Sequence, residues 1–117
     1  MRSLALVVVM FLASLATAVA LTIPAAEASK HVGEQATVCG TIASQHTAYR
    51  SRGTPTFINL DQPYPNQIFT ALIWGNERTQ VGEIPASGRL CVTGRIQEYR
   101  GTPEIVLHNR NSWLVPK

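Results

Sequence analysis

"RLCVTGRIQEYRGTPEIVLH", Arg89 to His108, decides the fold. It holds two runs of strand character. The first, Arg89 to Tyr99, alternates apolar and polar residues around a central glycine, Gly94; the second, Pro103 to His108, is rich in β-branched and apolar residues. Arg-Gly-Thr between them is short enough to fold the chain back into a hairpin. That hairpin carries Tyr99 and Arg100 at its tip. Tip residues are seldom needed to hold a core, so these two are either idle or in contact with something.

Upstream the same alphabet repeats. "QATVCGTIAS" (Gln35 to Ser44) sets Ala36, Val38, Gly40 and Ile42 against Thr37, Cys39 and Thr41, the period of a strand. Gly40 in its middle predicts a bend or bulge. A polar loop, "QHTAYRSRGTP", leads to "TFINL" (Thr56 to Leu60), which ends at Asp61 before Pro63 and Pro65. "QIFTALIW" (Gln67 to Trp74) is apolar almost throughout and predicts a strand buried on much of both faces. "GNERTQVGEIPASG" breaks the pattern and leaves room for one short helix or turn between Asn76 and Ile84. "SWLV" (Ser112 to Val115) predicts a last short extension.

These segments make five strands with a break between the third and fourth. That is the plan of an all-β, five-stranded Greek-key OB-fold barrel, with one short helix or turn between strands three and four. Gly40 and Gly94 suit it, because the first and fourth strands of so small a barrel must curl sharply. An open sandwich needs more strands.

The N-terminus reads differently. Arg2 precedes an apolar run from Leu4 to Ala16, followed by Thr17-Ala18-Val19-Ala20. A positive start, an apolar middle and a small-residue end are the parts of a secretory signal peptide. The domain plan is therefore a signal-peptide helix over residues 1–20, an arm over 21–33 read as leader or short helix, and the barrel over 34–117. Cleavage falls after Ala20, with Ala18 and Ala28 as alternatives. The apolar run extended to Ile23 also approaches the length of a membrane span, so an uncleaved anchor stays open. No cysteine follows the run, which points away from a lipoprotein anchor. The expected location is periplasmic or secreted.

Removing residues 1–20 takes away Arg2 and leaves nine Lys/Arg against seven Asp/Glu, a net charge of +2. So mild a charge does not announce nucleic acid unaided. Its placement is more informative: Arg50, Arg52, Arg78, Arg95 and Arg100 fall near expected loops or strand ends. Arginine offers phosphate a planar fork and a base a flat face.

"GEQATVCGTIAS", "TFINLDQPYPNQIFTALIWG" and "CVTGRIQEYRGTPEIVL" together resemble exported bacterial single-domain OB-fold proteins related to the tRNA-anticodon-binding OB family. The shared pattern is V-x-G-x-I in strands one and four, F-x-x-L in strand two, and Y-x-G-x-P-E-I over the final hairpin. The resemblance implies the barrel and, more loosely, nucleic-acid binding, since OB barrels also take oligosaccharides and proteins. In that barrel strands one and four are antiparallel neighbours. Cys39 and Cys91 then meet in a disulfide, as an exported chain with an even cysteine count favours. Two buried free thiols are the alternative.

Enzyme constellations are missing from the sequence. His31, His46 and His108 lie in separate segments without metal-ligand spacing. No G-x-S-x-G elbow, phosphate-binding loop or zinc-protease helix occurs. Asp61, Glu77, Glu83, Glu98 and Glu104 are scattered, unlike the clustered carboxylates of the thermonuclease-type barrel. No catalysis, metal or cofactor is expected.

A binding face is expected instead. OB barrels take ligand across strands two and three, between the one-two and four-five loops. Loop one-two carries Tyr49, Arg50 and Arg52, and loop four-five carries Tyr99 and Arg100. The face offers Phe57, Asn59 and Trp74, with Tyr64 between the strands. Phe57 and Trp74 have a competing use as core plugs, and Tyr64, set between prolines, as a pin for its own turn. The expected partner is single-stranded nucleic acid, held by stacking worth roughly 1–3 kcal/mol per base and by a basic track. The alternative is an envelope protein whose barrel binds a small molecule, a glycan or a protein; membrane contact is expected only if the leader stays uncleaved.

Overall fold

The computed structural model describes residues 3, 5–10 and 21–117. Residues 3 and 5–10 carry no regular secondary structure and are exposed; the rest of the expected signal-peptide helix lies outside the described residues. Among the described residues no helix is long and apolar enough to cross a membrane.

The chain is mostly β. A short strand, β1 (Leu21–Pro24), enters a 3-10 turn (Ala25–Lys30) and then the long β2 (Gln35–Thr47). β3 (Thr56–Leu60) and β4 (Thr70–Ile73) follow, and a 3-10 turn (Gly75–Glu77) runs into a single α-helical turn, α1 (Arg78–Val81). The chain closes with β5 (Arg89–Arg95), β6 (Gln97–Tyr99), β7 (Thr102–Val106), a 3-10 turn (Arg110–Ser112) and β8 (Trp113–Leu114). The strands lie in the order β6-β7-β4-β3-β2-β5-β8, with β1 added parallel to β2. The β4–β7 ladder is parallel and the other ladders along that order are antiparallel. The ladders do not close into a ring. The two regions they end in are nonetheless continuous in the chain, because only Ile96 separates β5 from β6.

Alternation explains β2. Ala36, Val38, Gly40 and Ile42 are buried, whereas the residues between them are not. The bulge predicted at Gly40 occurs instead between Ile42 and Ser44, where the register against β3 shifts. Gly40 answers a different need. A Cβ there would lie 2.9 Å from Asp61 Oδ1 and 3.0 Å from Leu60 Cβ. Asp61 uses that space, since its Oδ1 accepts from the Thr41 N–H at 2.8 Å. Gly94 is tighter still: a Cβ would stand 2.6 Å from Ile105 Cγ2. Its absence lets β7 pack across β5.

The core holds Val38, Ile58, Leu60, Phe69, Leu90, Val92, Ile96, Ile105 and Leu107, all nearly inaccessible to solvent. Residues 21–33, expected to be leader or helical arm, join it. Ile23, Ala25 and Ala28 are buried in the same cluster, so cleavage after Ala28 would strip three core residues. All four residues of β4 are buried, as its continuous apolar character predicts. Trp113 closes the far end, its Nε1 donating to Val81 O at 2.7 Å.

Cys39 and Cys91 form a disulfide. They are direct partners in the β2–β5 ladder, with Cα atoms 4.1 Å apart. A bond closing a loop of separation 52 stabilises by about 4 kcal/mol in the chain-entropy account.

Candidate nucleic-acid interface

Ile58, Leu60, Ala71, Ile73 and Ile105 belong to the core, so their neighbours along β3, β4 and β7 point to the opposite face. Cross-strand register arranges that face in two rows. One is polar: Ser44, Asn59, Thr70, Glu104 and Gln97, from β2 to β6. The other is largely apolar: His46, Phe57, Leu72 and Val106.

The polar row is closed on itself. Asn59 Nδ2 donates to Ser44 Oγ at 2.9 Å, and Thr70 Oγ1 donates to Asn59 Oδ1 at 2.7 Å. Gln97 Nε2 donates to Glu104 Oε1 at 2.7 Å. Asn59, Thr70 and Glu104 are buried at 4–6 % exposure. Asn59 thus has both ends of its amide engaged within the sheet, and the accessible chemistry lies at the ends of the face.

At one end, residues 48–55 join β2 to β3. Tyr49 is 77 % exposed, and Arg50 and Arg52 are exposed beside it. Trp74 belongs to this end too. It is half-exposed and packs on Gly53, where a Cβ would meet its ring at 2.9 Å. Gly53 has φ +79°, which suits glycine and leaves the indole a flat seat. Neither Phe57 nor Trp74 is a core plug: Phe57 is half-buried on the outer face, outside the core cluster.

The other end is set by β7. Thr70 pairs with both Asn59 and Glu104, so β7 begins where β3 finishes. The β6–β7 tip and the β3–β4 loop therefore share this end, which brings Tyr99, Arg100 and Tyr64 to it. Tyr64 is 75 % exposed and Tyr99 56 %. Seven of the nine predicted residues thus separate into two clusters, divided by the length of β3, about 15 Å for five residues, with Phe57 and Asn59 on β3 between them.

The tip has a feature the sequence did not announce. Tyr99 pairs with Thr102, leaving Arg100 and Gly101 as a two-residue turn with φ of +50° and +83°. Positive φ at both positions defines the hairpin turn that normally takes Asn-Gly or Gly-Gly. Gly101 fits it freely. Arg100 is there against its backbone preference, at about 1 kcal/mol. Its guanidinium sits 5.3 Å from the centroid of the Tyr99 ring, an exposed cation–π pair.

The arginines fall into two groups. Arg110 stacks at 3.8 Å on Trp113 and donates to its carbonyl, and Arg78 donates to Thr54 O and Thr56 Oγ1. Arg50, Arg52 and Arg100 have no such work. Among the described residues the ion pairs are Lys30–Glu27, His31–Glu34 and His108–Glu77, and none involves an arginine. Arg50, Arg52 and Arg100 stand at the two ends of the face, whereas Arg89 and Arg95, also exposed and without an ion pair among the described residues, lie on the β2–β5 ladder. His46, passed over as an isolated histidine, pairs with Phe57 on the same surface and is exposed. The alternation along β2 would have found it, had that strand been extended beyond Ser44. Among the described residues no group of His, Cys, Asp and Glu is placed to hold a metal ion.

No known protein-family model matches the chain, and no curated protein does. The fold is similar to part of a solved structure described as an aspartyl-tRNA synthetase from Leishmania major Friedlin, with a TM-score of 0.53 and 13 % identity. The match covers 84 % of this chain and 21 % of that one. At such identity the likeness is one of fold.

Proposed function

We propose that this chain is a non-catalytic OB-fold module that binds single-stranded nucleic acid between the two clusters, in the periplasm or outside the cell. In this reading β2, β3, β4, the β5–β6 pair and β7 are the five barrel strands. The continuity of β5 and β6 through Ile96, and the close approach allowed by Gly94, support a Greek-key barrel. The fold likeness to part of an aspartyl-tRNA synthetase agrees with the resemblance seen in the sequence. Export rests on the leader pattern and on a disulfide that suits an oxidising compartment.

The observation that carries the reading is the turn residue Arg100. A long cation held at positive φ, unpaired and beside an exposed tyrosine, is poorly explained by folding needs. A phosphate and a stacked base explain both residues. Fluorescence anisotropy with a labelled single-stranded oligonucleotide tests it. Saturable binding that weakens steeply with salt, and that exceeds binding to the matching duplex, is expected. Absence of binding at low salt would contradict it.

A further inference from the structure

We propose a second binding site, on the opposite side of the sheet from the nucleic-acid face though Tyr49 borders both, for a zwitterionic small molecule of the amino-acid class with an apolar side chain. Beyond the Ile42–Ser44 register shift, the inward positions of the β2–β3 hairpin run past the core and stand opposite the β4–β5 connection. Between them lies an open cavity of about 670 Å³, within the size range of small-molecule sites. It is on the opposite side of the sheet from Phe57 and Asn59.

Its lining has three parts. Ile84, partly buried, supplies an apolar wall, backed by the core residues Ile58 and Ile73. Arg78 supplies a positive group already fixed in place, because its Nη2 donates to Thr54 O at 3.1 Å and to Thr56 Oγ1 at 3.3 Å. Those two bonds use both Nη2 protons and leave the N–H groups of Nε and Nη1 for a ligand. Glu83 supplies a carboxylate in the same lining. Neither charge has an ion-pair partner among the described residues, and they do not pair with each other. A half-buried arginine without a carboxylate is an incomplete arrangement. A ligand carboxylate would complete it, an ammonium group would meet Glu83, and an aliphatic or aromatic side chain would cover Ile84.

Isothermal titration of the mature protein with leucine and phenylalanine, beside their N-acetyl and amide derivatives, reads this directly. Saturable binding of a free amino acid is expected, with each blocked derivative weaker by about tenfold or more, the worth of one charge-assisted hydrogen bond. Glu83→Gln should weaken the free amino acid and leave the N-acetyl form unchanged. Arg78→Gln also loses two internal hydrogen bonds, so Thr79→Trp, at an exposed lining position, serves as the variant that fills the cavity without touching the core. It should abolish amino-acid binding while oligonucleotide affinity stays within twofold. Equal affinity for the free and blocked forms, or no saturable binding, would overturn the proposal. Displacement of a bound oligonucleotide by the amino acid would overturn the separateness of the two sites.

Discussion

The two halves of this sheet treat their outward side chains differently. Where β2 pairs with β5, the two middle outward pairs are joined, Cys39 to Cys91 by a disulfide and Thr37 Oγ1 to Thr93 Oγ1 by a 2.7 Å hydrogen bond, while Gln35–Arg95 and Thr41–Arg89 on either side are exposed. Where β3, β4, β7 and β6 pair, the middle of the face is tied internally but both its ends present unpaired arginine and exposed tyrosine. One half ties its middle with a covalent bond. The other adds exposed tyrosines to the arginines at its ends. If that division is sound, substitutions in the first half should unfold the protein and substitutions at the ends of the second should spare the fold.

The largest effect is expected at the disulfide. Replacing Cys39 and Cys91 together by alanine should lower unfolding free energy by about 4 kcal/mol in a denaturant titration, less any strain relieved. A loss below about 1 kcal/mol would place the stability of this half elsewhere. Gly94→Ala comes next. Its Cβ would meet Ile105 Cγ2 at 2.6 Å, and the displacement of β7 should cost about 1–3 kcal/mol. Asn59→Ala sharpens the comparison from within the second half. It leaves Thr70 and Ser44 without their partner and should cost about 1–2 kcal/mol, because the middle of the face is internally satisfied. A variant of unchanged stability that loses oligonucleotide affinity would instead make Asn59 a direct contact.

The strands were legible in the sequence because their cause is local. The alternation of Ala36, Val38 and Ile42, and the apolar run of Ala71 to Ile73, state which faces are buried. β1 was not legible. It has one buried residue, Ile23, and its pairing partner lies across the chain in β2, so no period marks it. Small alanines at positions 25 and 28 look like linker and are core because the space there is small. Gly40 and Gly94 were recognisable as special, but only the packing tells which bends and which makes room. The binding residues divide likewise. Exposure of Tyr49, Tyr64, Tyr99 and Arg100 follows from loop position, whereas the engagement of Asn59 with Ser44 and Thr70 depends on register. The left-handed Arg100 depends on turn length, because one residue more in the turn would have relieved it.

The smallest expected change in stability accompanies the most decisive change in binding. Arg100→Gly should relax the turn and raise stability by about 0.5–1 kcal/mol, since glycine adopts φ near +50° without strain. The same variant removes one phosphate contact. In a salt titration of single-stranded oligonucleotide binding, monitored by anisotropy, its log affinity against log salt should be shallower than wild type by about 0.7. Its affinity at low salt should also be lower, in a protein at least as stable as the parent. An Arg100→Gly protein that binds with wild-type affinity and slope would contradict the account: the tip would then be idle, and the face between the two clusters would not be a nucleic-acid site.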